Sequence, residues 1–230
     1  MYVGGLQKLS LVDFPDNLAA TIFLNGCNFR CPFCHNAGLV LPSQLQNNYC
    51  IEDVLDFLKT RKGKLDGICI TGGEPLINKD ILDLIAPIKE MGFNVKLDTN
   101  GSFPDLLLKI IDSGLIDYVA MDIKNSKEKY PLTVGIENYD VKPICESVEI
   151  LKSDIIDYEF RTTVVNELHD KDDFVSIGEW INGAKRYFLQ TFVDSGNLIN
   201  GSSLSAPSKA EIEAFASIMR GYTQYVGIRG

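Results

Sequence analysis

The distribution of hydrophobic residues along the chain predicts six short buried strands separated by amphipathic helices. Runs rich in Ile, Val, Phe and Tyr predict strands over residues 19–24, 67–71, 93–97, 118–123, 156–165 and 186–193. The segments between them carry apolar residues at helical spacing, as in Ile51, Val54, Leu55 and Leu58. Strands that alternate with helices predict a parallel sheet covered by helices, which is an α/β fold.

The number of repeats and the chain length indicate which parallel fold to expect. A closed eight-stranded barrel of alternating strands and helices normally uses about 250 residues. This chain has 230 residues and six repeats, so we predict an open, partial (β/α)6 TIM-like barrel. Linkers and low-complexity tracts are absent from the sequence, and residues 1–230 are therefore expected to form a single domain. Within it we distinguish an N-terminal extension, residues 1–18, and a cysteine-bearing loop, residues 26–36.

Four smaller features of the sequence predict local structure. Ser208 and Glu211 have the spacing of a capping box and predict the start of the last helix. Three acidic residues in the segment 170–173 predict another helix N-terminus. Cys69 lies inside an apolar run and is expected in the core, whereas His169 is expected on a surface loop.

Polar residues and glycines cluster where the predicted strands end. The first four strands end in the segments 25–27, 71–75, 98–101 and 122–124, while Arg161, Thr163 and Gln190 lie in the last two. The carboxyl ends of barrel strands form one rim, and that rim is where barrel enzymes bind substrates and perform catalysis. The clustering therefore predicts a functional site at this rim.

The cysteine-bearing loop carries the most informative chemistry. Cys27, Cys31 and Cys34 follow the first predicted strand with CxxxCxxC spacing. Thiolates are the usual ligands of iron–sulfur clusters, and three of them would leave one iron of a four-iron cube open. The alternative is a structural zinc site with His35 as the fourth ligand, in a zinc-stabilised interaction module. Structural zinc more often uses two separated ligand pairs, and this spacing therefore favours the iron–sulfur cluster.

Composition and charge limit the partners and the location. The net charge of −9 argues against broad nucleic-acid binding, which requires clustered Lys and Arg. The longest apolar runs fall well short of the roughly 20 residues that span a bilayer, so we expect no membrane association. The first residues lack the basic-then-apolar order of a secretory signal, and we expect a cytoplasmic protein.

Two motifs together resemble the signature of the radical S-adenosylmethionine (SAM) superfamily. These are the cysteine triplet with Phe33 before its last member, and Gly72-Gly73-Glu74-Pro75 after the second predicted strand. The resemblance implies a partial barrel of the radical SAM type and a 4Fe–4S cluster ligated by the three cysteines. It also implies SAM chelated to the open iron, with Phe33 near the adenine and residues 72–74 holding the methionyl amine.

The same resemblance assigns roles to residues farther along the chain. It implies that Thr99 and Lys124 approach the SAM carboxylate or ribose, with Arg161 as a further candidate. Related formate-lyase activases bind a monovalent cation near SAM. The matching positions here are Asp98, Thr99, Asp122 and the Ala120 backbone, so the resemblance allows for a cation at this site.

Within the superfamily, the sequence resembles the activating enzymes of glycyl-radical proteins. The segments that carry this resemblance are residues 34–36, 97–101 and 120–124. Residues 5–15 resemble the start of the activating component of anaerobic ribonucleoside-triphosphate reductase, and the sequence contains no second cysteine-rich, ferredoxin-like insert. The implied function is reductive cleavage of SAM to place a glycyl radical on that reductase, with flavodoxin or ferredoxin as electron donor.

Two enzymatic alternatives remain open at this point. One is an activase of another glycyl-radical enzyme, of the pyruvate formate-lyase type, and the other is a radical SAM enzyme that acts on a small molecule. The formate-lyase type places a histidine beside SAM near the sixth strand. Residues 189–196 contain no histidine, and Gln190 is the candidate replacement.

Overall fold

The computed structural model describes residues 1–41, 49–194, 196–200 and 203–230. Its central feature is one sheet of eight strands that follow one another in chain order. The first strand pairs antiparallel with the second, and every later pair of neighbours is parallel. The strands are β1 (Val3–Ser10), β2 (Ala19–Leu24), β3 (Gly67–Gly72), β4 (Asn94–Thr99), β5 (Tyr118–Asp122), β6 (Asp157–Val164), β7 (Arg186–Thr191) and β8 (Tyr225–Arg229).

Helices occupy the connections between the parallel strands, as parallel pairing requires a crossover. They bury one face each: in the first long helix, Val54 and Leu58 are fully buried while Glu52 and Lys59 are exposed. The helices are α1 (Ala37–Val40), α2 (Ile51–Lys59), α3 (Leu82–Glu90), α4 (Pro104–Asp112), α5 (Tyr130–Val134), α6 (Lys142–Lys152), α7 (Lys171–Trp180) and α8 (Lys209–Met219). None of the helices in the described ranges is long and apolar enough to span a bilayer.

The six predicted strands are β2 to β7, and their boundaries agree with the prediction to within two residues. The prediction of an open, partial barrel is confirmed, because β1 and β8 lie at opposite edges of the sheet and do not pair within the described residues. Two strands were not predicted. β1 lies inside the N-terminal extension, and β8 adds a seventh strand to the parallel run.

The predicted helix starts are also confirmed. The Ser208 hydroxyl accepts a hydrogen bond from the Glu211 amide, and the Glu211 carboxylate accepts one from the Ser208 amide. Asp170 and Asp173 form the equivalent capping box at the start of α7. Each pair satisfies backbone N–H groups that would otherwise lack a partner at a helix N-terminus.

The structure confirms Cys69 as a core residue and corrects the prediction for His169. Cys69 is fully buried in β3. His169 is also buried, because its ring packs against Phe174 and lies under the loop after β5. Its Nε2 lies 2.9 Å from the Lys124 carbonyl oxygen, and its Nδ1 accepts a hydrogen bond from the Val165 amide. The polar neighbours of His169 in sequence gave no indication of this tertiary burial.

Candidate functional site

A cavity of about 300 Å³ lies at the carboxyl ends of the parallel strands, inside the open barrel. Parallel strands place their carboxyl ends on one rim, so segments distant in sequence meet there. The structure brings eleven of the twelve predicted site residues to the wall of this cavity. They are Cys27, Cys31, Phe33, Cys34, Gly72, Gly73, Asp98, Thr99, Asp122, Lys124 and Arg161.

The loop that carries the three cysteines is fixed by backbone hydrogen bonds to several elements. The Gly26 amide donates to the Leu39 carbonyl, with 2.7 Å between nitrogen and oxygen, and the Arg30 amide donates to the Val134 carbonyl at 2.8 Å. The Arg30 guanidinium also donates to the Cys27 carbonyl at 2.7 Å. The loop is therefore positioned by the structure around it as well as by its own turns.

All three cysteines are free thiols facing the same cavity. Burial raises the pKa of Cys27 to about 12 and that of Cys31 to about 11, and it also raises the pKa of Cys34. The thiols are therefore protonated at neutral pH, and metal binding must displace their protons.

The donor set suits a metal cluster better than a single ion. Within the described residues, no group of three His, Cys, Asp or Glu side chains is arranged to hold one metal ion. The three thiols and His35 line one cavity, and His35 is exposed, with its ring packed against Phe192. Soft thiolate donors in this number are typical of iron–sulfur clusters. The residues present therefore fit a cluster with three protein ligands.

The Gly72-Gly73 turn lies directly against the cysteine loop. Gly72 has a φ of +127°, and a Cβ there would lie 2.3 Å from backbone atoms of Leu24. The Gly73 amide donates to the Leu24 carbonyl, and the next amide, of Glu74, donates to the Gly26 carbonyl at 2.7 Å. Glycine is required at this turn because two backbones meet without room for a side chain.

Glu74 is the one predicted site residue that lies outside the cavity wall. Its side chain is fully buried, and its carboxylate accepts hydrogen bonds from Leu76 N, Thr99 Oγ1 and Asn100 N at 3.0, 2.8 and 2.6 Å. Burial raises its pKa to about 7, although these hydrogen bonds favour the charged form. Glu74 thus joins the glycine turn to the end of β4, and its contact with a ligand stays a prediction.

Four charged residues of the wall and one residue behind it form an ion-pair network, which we call the charged cluster. Arg161 bridges two carboxylates, donating to Asp98 Oδ2 at 3.0 Å and to Asp122 Oδ1 at 2.9 Å. Lys124 donates to Asp122 Oδ2 at 2.8 Å, and Lys96 donates to Asp98 Oδ1. The sheet register explains the arrangement, because Asp122 and Arg161 are direct neighbours on β5 and β6.

The charged cluster keeps both carboxylates ionised. Burial opposes ionisation of Asp122, but Arg161 and Lys124 outweigh it and lower its pKa to about 2. The pKa of Asp98 is likewise lowered by Arg161 and Lys96 against the effect of burial. Lys124 has a raised pKa, because Asp122 outweighs the burial that would lower it. The cavity therefore presents fixed positive groups backed by ionised carboxylates, which suits a bound carboxylate or another anionic group.

Two features of the site were not predicted from the sequence. The first is Lys96. A lysine inside an apolar strand was the sequence signal that could have identified it. The other is a hydrogen-bonded chain of polar side chains beside the cysteines. Asn100 donates to Asn28 at 3.0 Å, Asn28 donates to Ser102 at 3.0 Å, and Asn100 Nδ2 lies 3.9 Å from Cys27 Sγ. Gln190, the candidate replacement for histidine, lines the cavity, and Ser195 of the same 189–196 segment lies outside the described residues.

Comparison with known families identifies the superfamily of the chain. The sequence matches the family model of the radical SAM superfamily over residues 21–180, which is more than half of the chain. The chain belongs to the radical SAM superfamily. The matched residues of this radical SAM protein include the cysteine triplet, the glycine turn and the charged cluster. The observed sheet is accordingly a partial barrel of the radical SAM type.

Relatives of known sequence indicate which group of radical SAM proteins this chain belongs to. One is a Methanocaldococcus jannaschii protein provisionally named a glycyl-radical enzyme activating enzyme, 33% identical over 235 residues that cover 99% of this chain and 95% of that protein. The pyruvate formate-lyase-activating enzyme of Staphylococcus aureus is 25% identical over 198 residues, which cover 79% of this chain and 75% of that enzyme. The structure of Streptococcus suis SuiB bound to S-adenosylmethionine shares the fold, with a TM-score of 0.63 at 12% identity, covering 91% of this chain and 52% of SuiB.

The chain is therefore a radical SAM enzyme of the family that activates glycyl-radical enzymes. Membership in this superfamily implies a 4Fe–4S cluster and SAM as cofactors. The activating relatives imply a glycyl-radical protein as partner.

Proposed function

We propose that this radical SAM enzyme installs a glycyl radical on anaerobic ribonucleoside-triphosphate reductase. The observation that carries the proposal is the meeting of the three free thiols, the Gly72-Gly73 turn and the charged cluster around one cavity. The resemblance of residues 5–15 to the activating component of that reductase supports this partner. The absence of a second cysteine-rich segment from the sequence also favours it.

The chain's own residues have separate tasks in this proposal. Cys27, Cys31 and Cys34 would hold the 4Fe–4S cluster, which when bound supplies the electron that cleaves SAM to methionine and a 5′-deoxyadenosyl radical. Transfer of a hydrogen atom from the partner's glycine to the 5′-deoxyadenosyl group would leave the glycyl radical on the partner. The protein contributes mainly orientation. Because it holds the reacting groups close together and aligned, the entropy cost of bringing them together no longer adds to the reaction barrier.

The cavity wall would fix the two ends of SAM. Phe33 is buried beside the cysteines and would lie near the adenine, while backbone groups of Gly72 and Gly73 would hold the methionyl amine. Lys124 and Arg161 supply positive charge for the methionyl carboxylate, and Thr99 lies beside them on the wall. The carboxylates of Asp98 and Asp122 fix the directions of these cationic groups.

The open barrel would admit the partner's glycine loop. Because β1 and β8 do not pair within the described residues, the sheet leaves a side open next to the cavity. Leu11 and Val12, which follow β1, are 77% and 78% exposed, and Val12 lines a surface pocket together with Arg229 and Gly230. We take residues 1–230 to act as one domain, and a flavodoxin or ferredoxin to supply the electron.

An anaerobic assay with two candidate partners tests the proposal. The reconstituted protein is mixed with SAM, a reductant and either anaerobic ribonucleotide reductase or pyruvate formate-lyase, and electron paramagnetic resonance measures the glycyl doublet. The doublet is expected on the reductase. A doublet on the lyase alone would favour the formate-lyase type, to which the Staphylococcus relative belongs, and SAM cleavage without a doublet would favour a small-molecule substrate.

Cysteine variants test the ligand assignment in the same assay. Replacing Cys27, Cys31 or Cys34 with Ala is expected to abolish SAM cleavage and to lower bound iron and sulfide. Cys145→Ala is the matched control, because Cys145 lies on α6 and is not part of the cavity wall. Normal turnover in any one of the three test variants would contradict the assignment.

A further inference from the structure

The two carboxylates in the charged cluster already have a cationic partner at each of their four oxygens. Asp98 accepts a hydrogen bond from Lys96 at Oδ1 and one from Arg161 at Oδ2. Asp122 accepts a hydrogen bond from Arg161 at Oδ1 and one from Lys124 at Oδ2. Asp98 and Asp122 are the positions at which the resemblance to formate-lyase activases allows for a monovalent metal ion. A metal ion coordinated there would have to share a carboxylate oxygen with a side-chain cation and lie close to its positive charge.

The charge of the cluster argues in the same direction. Three cationic side chains face two carboxylates, so the five groups carry a net charge of +1. Of the acidic groups around the cluster, Glu159 is paired with Arg229, whereas Asp13 on the cavity wall accepts a hydrogen bond from the Thr21 hydroxyl. The carboxylate of Glu74 accepts hydrogen bonds from Leu76 N, Thr99 Oγ1 and Asn100 N. A metal cation on the oxygens of Asp98 or Asp122 would lie closest to the three cationic side chains, at a low effective dielectric that strengthens their repulsion.

Lys96 is the member that makes this balance possible. Its side chain is 1% exposed and lies behind the wall, whereas the other four members line the cavity. Without its ammonium, Asp98 Oδ1 would be a buried, unpaired carboxylate oxygen next to a cavity, which is a costly arrangement that a cation can relieve. Through Asp98, Lys96 also supports the orientation of Arg161.

We propose that Lys96 is a positioning residue that takes the place of a monovalent metal ion and makes SAM binding in this enzyme independent of sodium and potassium. The inference rests on the proposed SAM site, and it says that the cation allowed by the resemblance is supplied here by the chain itself. Lys96 acts through Asp98 and Arg161.

The first test measures ion binding without SAM, cluster or partner. Sodium NMR line broadening is recorded on the cluster-free protein in tetramethylammonium buffer, for the natural chain and for Lys96→Met. Lys96→Met removes the charge and keeps a chain of similar length. The natural protein is expected to show no saturable sodium binding, and Lys96→Met is expected to gain it. Saturable binding by the natural protein at a site lost in Asp98→Asn would overturn the proposal.

The second test measures KM and kcat for SAM cleavage by the cluster-loaded enzyme in tetramethylammonium, sodium or potassium buffers. The natural enzyme is expected to give the same KM in all three. Residues that orient binding groups from behind typically contribute about 10- to 100-fold. Lys96→Met is expected to raise KM by a factor in this range in tetramethylammonium, and sodium or potassium should restore most of the loss.

Control and failure outcomes separate this inference from the proposed function. Lys89→Met removes a partly exposed ion pair, with Asp117, away from the cavity, and it should show neither the loss nor the rescue. Lys96→Met with an unchanged KM, or with a loss that no ion restores, would overturn the inference. If Lys96→Met does not fold, an ion-dependent KM in the natural enzyme would still overturn it. Failure of the natural enzyme to cleave SAM would instead contradict the proposed function, and the sodium measurement would remain informative.

Discussion

Gly73→Ala is expected to force apart the two backbone segments that form one side of the cavity. A Cβ on Gly73 would lie 2.0 Å from the Gly26 carbonyl oxygen and 3.3 Å from the Cys27 Cβ. Gly73 is not among the glycines with a positive φ, so the conflict is one of space and not of backbone conformation. Since Cβ contacts under 3.0 Å are essentially never observed, the segments must separate by about 1 Å.

The structure gives the size of the effect on stability and on catalysis. Separation stretches the 2.7 Å hydrogen bond from the Glu74 amide to the Gly26 carbonyl, which is worth about 1 kcal/mol. Overpacking of a well-packed region adds about 1–3 kcal/mol. The movement also displaces Cys27, and a shift of about 1 Å at a reacting group can cost about 100-fold in rate. We therefore expect a moderate loss of stability and a large loss of SAM cleavage.

The assay compares Gly73→Ala with Gly38→Ala, which is the matched control. Gly38 lies in α1, and a Cβ there meets no atom within 4 Å, so the control should fold and cleave SAM like the natural enzyme. Cluster content, thermal unfolding and anaerobic formation of 5′-deoxyadenosine are measured for both. If Gly73→Ala matches Gly38→Ala in rate and thermal stability, the inferred contact between the glycine turn and the cysteine loop is wrong.

Two further predictions concern buried carboxylates. Burial raises the pKa of Glu74 to about 7, above its ordinary value of 4.5, so between these values the folded protein retains a proton that the unfolded chain releases. Its contribution to stability should therefore increase by up to about 3 kcal/mol as pH falls from 8 to 5. Urea unfolding of the natural protein and Glu74→Gln across this range should show that difference, and parallel pH profiles would count against it. Arg229→Met removes a bidentate partner of the fully buried Glu159 and should cost about 2–4 kcal/mol. Urea unfolding measures this loss, which Glu159→Gln in the same background should partly recover; a variant as stable as the natural protein would refute it.

Most of the sheet could be predicted from the sequence because β2, β3 and β5 are nearly continuous apolar runs, while β4, β6 and β7 place buried apolar residues at alternate positions. β1 gave a weaker signal, since it is an antiparallel edge strand with adjacent glycines, Gly4 and Gly5, and three exposed positions. β8 is short, partly exposed and contains Arg229, which pairs inside the barrel with Glu159. Edge strands carry less of the burial pattern on which the prediction depends.

The cavity residues could be located because their motifs fall at strand ends, but their mutual contacts could not. The sequence of β4 alternates, with Val95 and Leu97 on one face and Lys96 and Asp98 on the other, and this alternation marks a charged interior face. Which carboxylate oxygen each cation reaches depends on register with β5 and β6, which the sequence does not specify. The burial of His169 likewise depends on tertiary packing.

The hydrogen bonds of the cysteine loop also set an order for assembly during synthesis. The loop is made early, whereas its partners follow much later, with Glu74 binding the Gly26 carbonyl and Val134 binding the Arg30 amide. The loop therefore cannot be fixed as in the folded protein until residue 134 has been synthesised, because the Arg30 amide needs the Val134 carbonyl. Insertion of the cluster is expected to follow this stage, and oxidants that reach nascent chains should damage the enzyme before they damage its folded form.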